Sequence, residues 1–252
     1  MLQVPAFVRR RVRKSLTNGL LAPFGALVDL TRRESRTFLA KPLNGQSGRR
    51  AIVDDVLART AAEVIVETGT FRGATTEYFA RVHNGPVVSI EATARFLFAA
   101  RLRLRGRRNV RLLHSDSRSG LRELARDPAL RRPAFFYLDA HWHEDLPLAE
   151  EIPIISAAWP NWVALVDDFA VPDDAGYRFD DYGPGKVLDV TYLQRIGIPI
   201  WCFWPRLASK DEDGMVRGCV VITSVPEVAA KLRASPLLRS IEGVPPRRDV
   251  TA

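Results

Sequence analysis

Residues 63 to 77, Glu-Val-Ile-Val-Glu-Thr-Gly-Thr-Phe-Arg-Gly-Ala-Thr-Thr-Glu, constrain the fold more than any other stretch of the chain. Val64, Ile65 and Val66 make a β-branched apolar run of the length of a buried parallel strand, and it stops at Glu67 in a turn that holds Gly69 and Gly73. The sequence then turns helical. A strand, a glycine turn and a helix in that order open a nucleotide-binding α/β fold, because glycine lets the backbone approach a ligand closely and the start of a helix offers unpaired N–H groups. The spacing is Glu-x-Gly-x-x-x-Gly and not the Gly-x-Gly-x-x-Gly of dinucleotide sites, and the Glu67 carboxylate stands where a pyrophosphate would lie. That argues against NAD and for a ligand with a positive charge nearby. Taken alone, the turn is equally that of a plain strand-to-helix connection.

Strand and helix alternate along the rest of the chain. Residues 48 to 60 form an amphipathic helix with Ile52, Val53, Val56 and Leu57 on one face. Further strands end at Glu91, at Asp116, at Asp139 and at Asp167-Asp168, separated by helices over 73–83, 93–105, 117–127 and about 147–158. The last of these contains Pro153, expected to kink or shorten it. A polar loop over 169–184 leads to a helix near 185–196, and strands at 198–204 and 217–223 are joined through Asp211-Glu-Asp-Gly214. This order predicts an α/β fold: a Rossmann-like, doubly wound, mostly parallel seven-stranded sheet with an antiparallel last strand and a helical N-terminal extension. The expected boundaries are a basic extension over 1–47, one domain over 48–235 and a flexible tail over 236–252.

Hydrophobic residues make up 46% of the 252, enough for one full core. The chain carries 37 basic against 29 acidic residues, and only Lys14, Lys41, Lys186, Lys210 and Lys231 are lysines. An excess that is almost wholly arginine reads as compositional bias, so no specific nucleic-acid partner is expected. Arg9, Arg10, Arg11, Arg13 and Lys14 precede an apolar stretch from Leu20 to Leu30, but no apolar run reaches the roughly 18 to 20 residues of a spanning helix. The expectation is a cytoplasmic protein whose N-terminus packs on the domain or on a second subunit, or rests peripherally on a membrane. Cys202 and Cys219 lie in apolar runs without metal-binding spacing and read as reduced core residues.

The chemistry is in the strand ends. Glu67, Glu91, Asp116, Asp139 and Asp167 each close a predicted strand, so all five lie along the edge of the sheet where α/β proteins bind ligands. One such acid is as readily a helix N-cap. Five together repel one another unless a ligand, a cation or hydrogen bonds compensate them.

On these residues the chain resembles, from about 48 to about 224, the class I S-adenosylmethionine-dependent methyltransferases. The resemblance implies that Glu67, Thr68, Gly69, Thr70 and Gly73 surround the methionine part of the cofactor, that Glu91 takes the ribose hydroxyls, that Asp116 with Ser117 faces the adenine amino group, and that Asp139 borders the cofactor. Two vicinal hydroxyls suit one carboxylate, and an exocyclic amine seeks an acceptor. Within the class, Asp139 with Asp167 and Asp168 resembles the metal-dependent O-methyltransferases of the macrocin type and the related cephalosporin hydroxylases. This implies Mg²⁺ held by three carboxylates, and a hydroxyl of a small molecule, sugar or other glycan as acceptor. The resemblance departs at the asparagine that completes the metal site in many such enzymes, for which the sequence offers no clear position.

His141 and His143 flank Trp142, and residues two apart in an extended segment face the same way, so both imidazoles can enter the cleft. Asp139, His141 and His143 are therefore the catalytic candidates. The same three residues suggest a two-histidine, one-carboxylate iron hydroxylase as an alternative, and a cofactor-binding scaffold without catalysis is another. Residues 177 to 186, Tyr-Arg-Phe-Asp-Asp-Tyr-Gly-Pro-Gly-Lys, lie where a loop covering the acceptor belongs.

Overall fold

The structure, a computed structural model, describes residues 17–19, 21–31, 41–141 and 145–241. The basic cluster at 9–14, His143 and residues 242–252 lie outside the described residues.

Five strands run parallel: β1 (Val64–Thr68), β2 (Val87–Glu91), β3 (Val110–His114), β4 (Ala134–Leu138) and β5 (Trp162–Asp167). Three more complete the sheet, β6 (Trp201–Pro205), β7 (Cys219–Thr223) and β8 (Leu238–Arg239), in the order β3-β2-β1-β4-β5-β7-β6-β8. β7 runs antiparallel between β5 and β6. Every residue of β1, β2, β4, β5 and β7 is buried, the pattern of strands covered on both faces.

The helices are α1 (Ala22–Thr31), α2 (Ser47–Thr60), α3 (Ala74–Val82), α4 (Ala94–Arg103), α5 (Ser117–Leu124), α6 (Leu148–Ala158), α7 (Val190–Gln194) and α8 (Pro226–Arg233). Strand alternation divides the core into two layers. Val64 and Val66 join Leu121, Leu124, Ile152, Ile155 and Trp159, from α5, α6 and the end of α6. Ile65 faces the other way, into Ile52, Val53, Val56, Phe79, Val228 and Leu232, from α2, α3 and α8. Each fully buried aliphatic or phenyl side chain contributes about 1.5–3 kcal/mol, so the two layers together hold the sheet between both sets of helices. α1 lies against α4 with Ala22 and Ala26 buried, and the Asn18 side chain accepts a hydrogen bond from the Ala94 backbone N–H at 2.8 Å.

The sheet has eight strands where the sequence predicts seven. The added β8 lies in the segment expected to be a flexible tail, and it is held because Leu238 is buried and Arg239 pairs with Asp173 while donating to the Pro205 carbonyl. The helix expected near 185–196 shrinks to Val190–Gln194. Gly183 and Gly185, both at positive φ, turn the chain first, and Asp189 then caps the short helix by accepting the Tyr192 N–H at 3.0 Å. α6 runs through Pro153 without being shortened there.

β1 has β2 on one side and β4 on the other, so the crossovers leave it in opposite directions and open a crevice at the carboxyl ends of these strands. The strand-end acids stand at that edge. Among the described residues no helix is long and apolar enough to cross a membrane.

Candidate active site

The crevice is built from the turn after β1. Gly69 sits at φ 86°, and a Cβ there would come within 2.1 Å of the Asp139 carbonyl oxygen. Only glycine lets the loops after β1 and β4 approach this closely. Asp139 N–H donates to the Thr68 carbonyl at 3.0 Å, which fixes the two strand ends together. Gly73, at φ 76°, starts α3 and donates its N–H to the Thr70 carbonyl at 2.9 Å. Thr70 turns its hydroxyl inward, 2.6 Å from that of Ser89.

Glu67 lies beneath this turn. It is 1% exposed and accepts hydrogen bonds from the hydroxyls of Thr76 and Ser89, which tie the first turn of α3 to β1 and β2. Burial pushes its carboxyl up to about 7 against the pull of those hydroxyls. Glu91 is oriented differently. One oxygen accepts the Phe71 N–H and the other the Thr93 N–H, each at 2.7 Å, so the carboxylate is fixed while each oxygen keeps a lone pair for a further donor. Burial raises its pKa, opposed by these two backbone donors. Asp116 is the N-cap of α5, accepting the Ser119 N–H at 3.1 Å, and hydrogen bonding from Ser119, its hydroxyl first, holds the carboxyl below its usual range. Phe71, at φ 49°, packs edge-on against Phe96 with ring centres 4.6 Å apart.

Beyond β1 the acids gather. Asp139, His141 and Asp168 can each bring one ligand atom into a group whose members lie within 4.8 Å of one another. His141 Nε2 stands 3.8 Å from Asp139 Oδ1 and 3.6 Å from Asp180 Oδ2. Loss of water, then the charges of Asp168 and Glu67, raise the Asp139 carboxyl well above the ordinary range. Burial lowers the His141 pKa and the charge of Arg217 adds to this, against Asp168 and Asp180. The neutral imidazole is therefore the resting form. Asp168 adopts φ 52°, a left-handed conformation that aspartate tolerates better than most residues. Arg217 donates to it from Nε at 2.7 Å and pairs with Asp180 through Nη2.

Asp167 points elsewhere. Its carboxylate is 1% exposed and forms an ion pair with the equally buried Arg49, accepts the Tyr137 hydroxyl, and accepts the Asp168 N–H at 2.7 Å. The structure thus brings together two of the three expected carboxylate ligands, Asp139 and Asp168, with His141 in addition. His143 lies outside the described residues. Four participants are not singled out by the sequence. Asn44 supplies an amide 3.2 Å from Asp167 Oδ2 and 3.4 Å from Asp168 Oδ1, from a 3₁₀ turn far upstream in which Leu43 and Asn44 both have positive φ. Arg49, Asp180 and Arg217 are the others; Asp180 alone lies in a stretch with a sequence signal, the aromatic and glycine-rich loop over 177–186. That loop is stitched to the site, since Asp180 N–H donates to the Asp168 carbonyl at 2.9 Å.

The donor set suits a small divalent cation: hard carboxylate oxygens, an unprotonated imidazole, and an anionic crowd only partly neutralised by Arg217. At the other end of the crevice, the two-sided anchoring of Glu91 suits a vicinal diol, and the glycine turn leaves backbone rather than side chains facing the ligand.

Glu151 is a further buried acid. It is 1% exposed on the first turns of α6, and burial pushes its carboxyl up to about 7, with the Ser117 hydroxyl pulling the other way. The folded state therefore binds this proton more tightly than the unfolded chain does, and Glu151 weakens stability as pH rises from about 4.5 through 7. Glu151→Gln is expected to gain stability over the native chain as pH is raised, by on the order of 3 kcal/mol between pH 5 and pH 8. Urea midpoints of both proteins at the two pH values measure this; a difference that does not change with pH removes the assignment.

No protein-family model matches the chain, and neither does any curated protein. Solved structures do. An O-methyltransferase from Bacillus cereus in complex with SAH is 17% identical, with a TM-score of 0.51 over 86% of this chain and 96% of that one. The O-methyltransferase TomG from Streptomyces achromogenes, involved in tomaymycin synthesis and solved with SAM, is 20% identical, with a TM-score of 0.50 over 70% of this chain and 80% of that one. At such identities the likeness is one of fold: the chain has a Rossmann-like methyltransferase fold.

Proposed function

We propose that the chain transfers the methyl group of S-adenosylmethionine to a hydroxyl oxygen of a small molecule or glycan, assisted by a divalent cation such as Mg²⁺. The observation that carries this reading is the pairing of two built ends in one crevice. Glu91, fixed by two backbone N–H groups, lies on one side of the Gly69 turn, and the group of Asp139, His141 and Asp168 lies on the other. When bound, the cofactor supplies an electrophilic methyl group, and the cation supplies the Lewis acidity that eases loss of a hydroxyl proton.

The chain's own residues do the rest. Glu91 accepts the two ribose hydroxyls with the lone pairs its backbone donors leave free. Asp139 and Asp168 hold the cation, and Asp167 supports Asp168 from behind by accepting its N–H. A hydroxyl held by the cation would be acidic enough to release its proton to water. Because Asp139 and the Gly69 turn are in contact, these residues would bring the acceptor oxygen close to the cofactor's methyl group, and their contribution would be chiefly positioning.

Calorimetric titration with S-adenosylhomocysteine tests the first half. The intact chain is expected to bind it, and Glu91→Ala to lose at least about a hundredfold in affinity, as two hydrogen bonds to a charged group imply. No binding by the intact chain, or an unaltered affinity in the variant, rejects the reading. Methyl transfer from labelled S-adenosylmethionine to a panel of phenolic and sugar hydroxyls tests the second half: it is expected to stop in EDTA and return with Mg²⁺ or Mn²⁺.

A further inference from the structure

We infer that His141 Nε2 is itself a ligand of the cation, and that this nitrogen makes the site select a transition ion of the Mn²⁺ type over Mg²⁺. The inference rests on the metal-assisted reading above and goes beyond it, since carboxylates alone make a Mg²⁺ site.

Three observations converge. The His141 side chain is 4% exposed, and Nε2 has no hydrogen-bond partner among the described residues. A buried ring nitrogen without a partner destabilises the fold, and a ligand that recovers this loss explains why the imidazole is held there. The second observation is spacing. Nε2 is 3.8 Å from Asp139 Oδ1 and 3.6 Å from Asp180 Oδ2, too far for hydrogen bonds yet close to the roughly 3 to 4 Å between neighbouring donors that share an ion at about 2.1 Å. The third is proximity across the fold: the ligand atoms of Asp139, His141 and Asp168 come from two loops at neighbouring strand ends and lie within 4.8 Å of one another.

Chemistry then selects the ion. Mg²⁺ takes oxygen ligands in near-ideal octahedra and keeps its waters, so an imidazole adds little to its binding. First-row transition ions accept imidazole readily, and their affinity for a mixed nitrogen and oxygen set rises along the series from Mn²⁺. One nitrogen with two carboxylates is such a set.

The experiment uses the full chain, freed of metal with a chelator, and Mn²⁺ alone as the probe. Continuous-wave electron paramagnetic resonance gives the Mn²⁺ affinity from the free-ion signal, and competition gives that of Mg²⁺. Pulsed measurements on the bound ion report directly on ¹⁴N coupling. The expected results are one bound Mn²⁺ with ¹⁴N coupling, and in His141→Gln a loss of that coupling with Mn²⁺ affinity down 10- to 100-fold and Mg²⁺ affinity changed less than about threefold. The native spectrum decides even if the variant does not fold. Bound Mn²⁺ without nitrogen coupling, or coupling that persists in folded His141→Gln, overturns the inference and leaves the metal-assisted reading standing. Full methyl transfer in chelator with no Mn²⁺ bound overturns both.

Discussion

Asp168→Ala is expected to lower methyl transfer by about a thousandfold while changing S-adenosylhomocysteine affinity less than about threefold. The separation comes from where the two functions sit. Asp168 lies at the end of β5, joined to Asp139, His141 and Arg217, whereas Glu91 lies at the end of β2 on the far side of β1. On the metal-assisted reading, removing the Asp168 carboxylate would take away a cation ligand, and Arg217, left with Asp180 as its acidic partner, would be freer to compete with the ion for the carboxylates that remain. The rate loss combines impaired proton removal, which alone contributes about 10²- to 10⁴-fold, with a misplaced acceptor. Asp168→Asn should fall less far, because an amide oxygen can still ligate. Rates with labelled cofactor, set beside calorimetry on the same preparations, measure both quantities. An Asp168→Ala protein that keeps more than a tenth of native turnover sinks the assignment.

The backbone of this site is legible in the sequence because it is local. β-branched runs, glycines at fixed spacing and acids at strand ends are read within a few residues, and the parallel order comes from alternation with helices. Even so, local reading assigns Asp139, Asp167 and Asp168 one role, whereas the fold places Asp167 apart from the other two. Asp167 and Asp168 are neighbours, but Asp167 closes β5 in the buried pair with Arg49, while Asp168, in a left-handed turn just past the strand, joins the group of Asp139 and His141. What the sequence hides is long-range. Asn44 lies 123 residues before Asp167 and reaches it through a turn with two positive φ values, for which no short motif exists. Arg49 falls on the first turn of a helix whose apolar pattern is carried by Ile52, Val53 and Val56, and nothing in that pattern marks an arginine as fully buried. Arg217 stands just before an antiparallel strand that is inserted beside β5 only by the order of the sheet. Asp116 shows the converse: the acid that the resemblance gives to the adenine amino group is, in the fold, the ordinary cap of a helix.

The buried pair under the site carries the largest stability effect. Arg49 and Asp167 are both 1% exposed, and Arg49 also donates to the carbonyls of Arg217 and Gly218, tying the entry to β7 onto the end of β5. Burying two charges is costly, and their attraction in a dry interior roughly offsets that cost, so the pair as a whole adds little. Removing one partner is another matter. Arg49→Met leaves the Asp167 carboxylate buried with only neutral donors, the Tyr137 hydroxyl, the Asn44 amide and the Asp168 N–H. The expected loss is about 3–5 kcal/mol, or roughly 6–20 °C in melting temperature for a chain of this size. Arg49→Met combined with Asp167→Asn removes the stranded charge while keeping an acceptor for Tyr137, and is expected to recover at least half of the loss. Urea denaturation of the native chain, both single variants and the double variant yields the coupling between the two positions. A single-variant loss below about 1 kcal/mol, or a double variant no more stable than Arg49→Met, means that the pair does not hold the end of β5. If the coupling is found, the left-handed turn of Asp168 at φ 52° has its physical cause: Asp167, locked by Arg49, accepts the next N–H and leaves the neighbouring side chain only one way to face, toward the cleft.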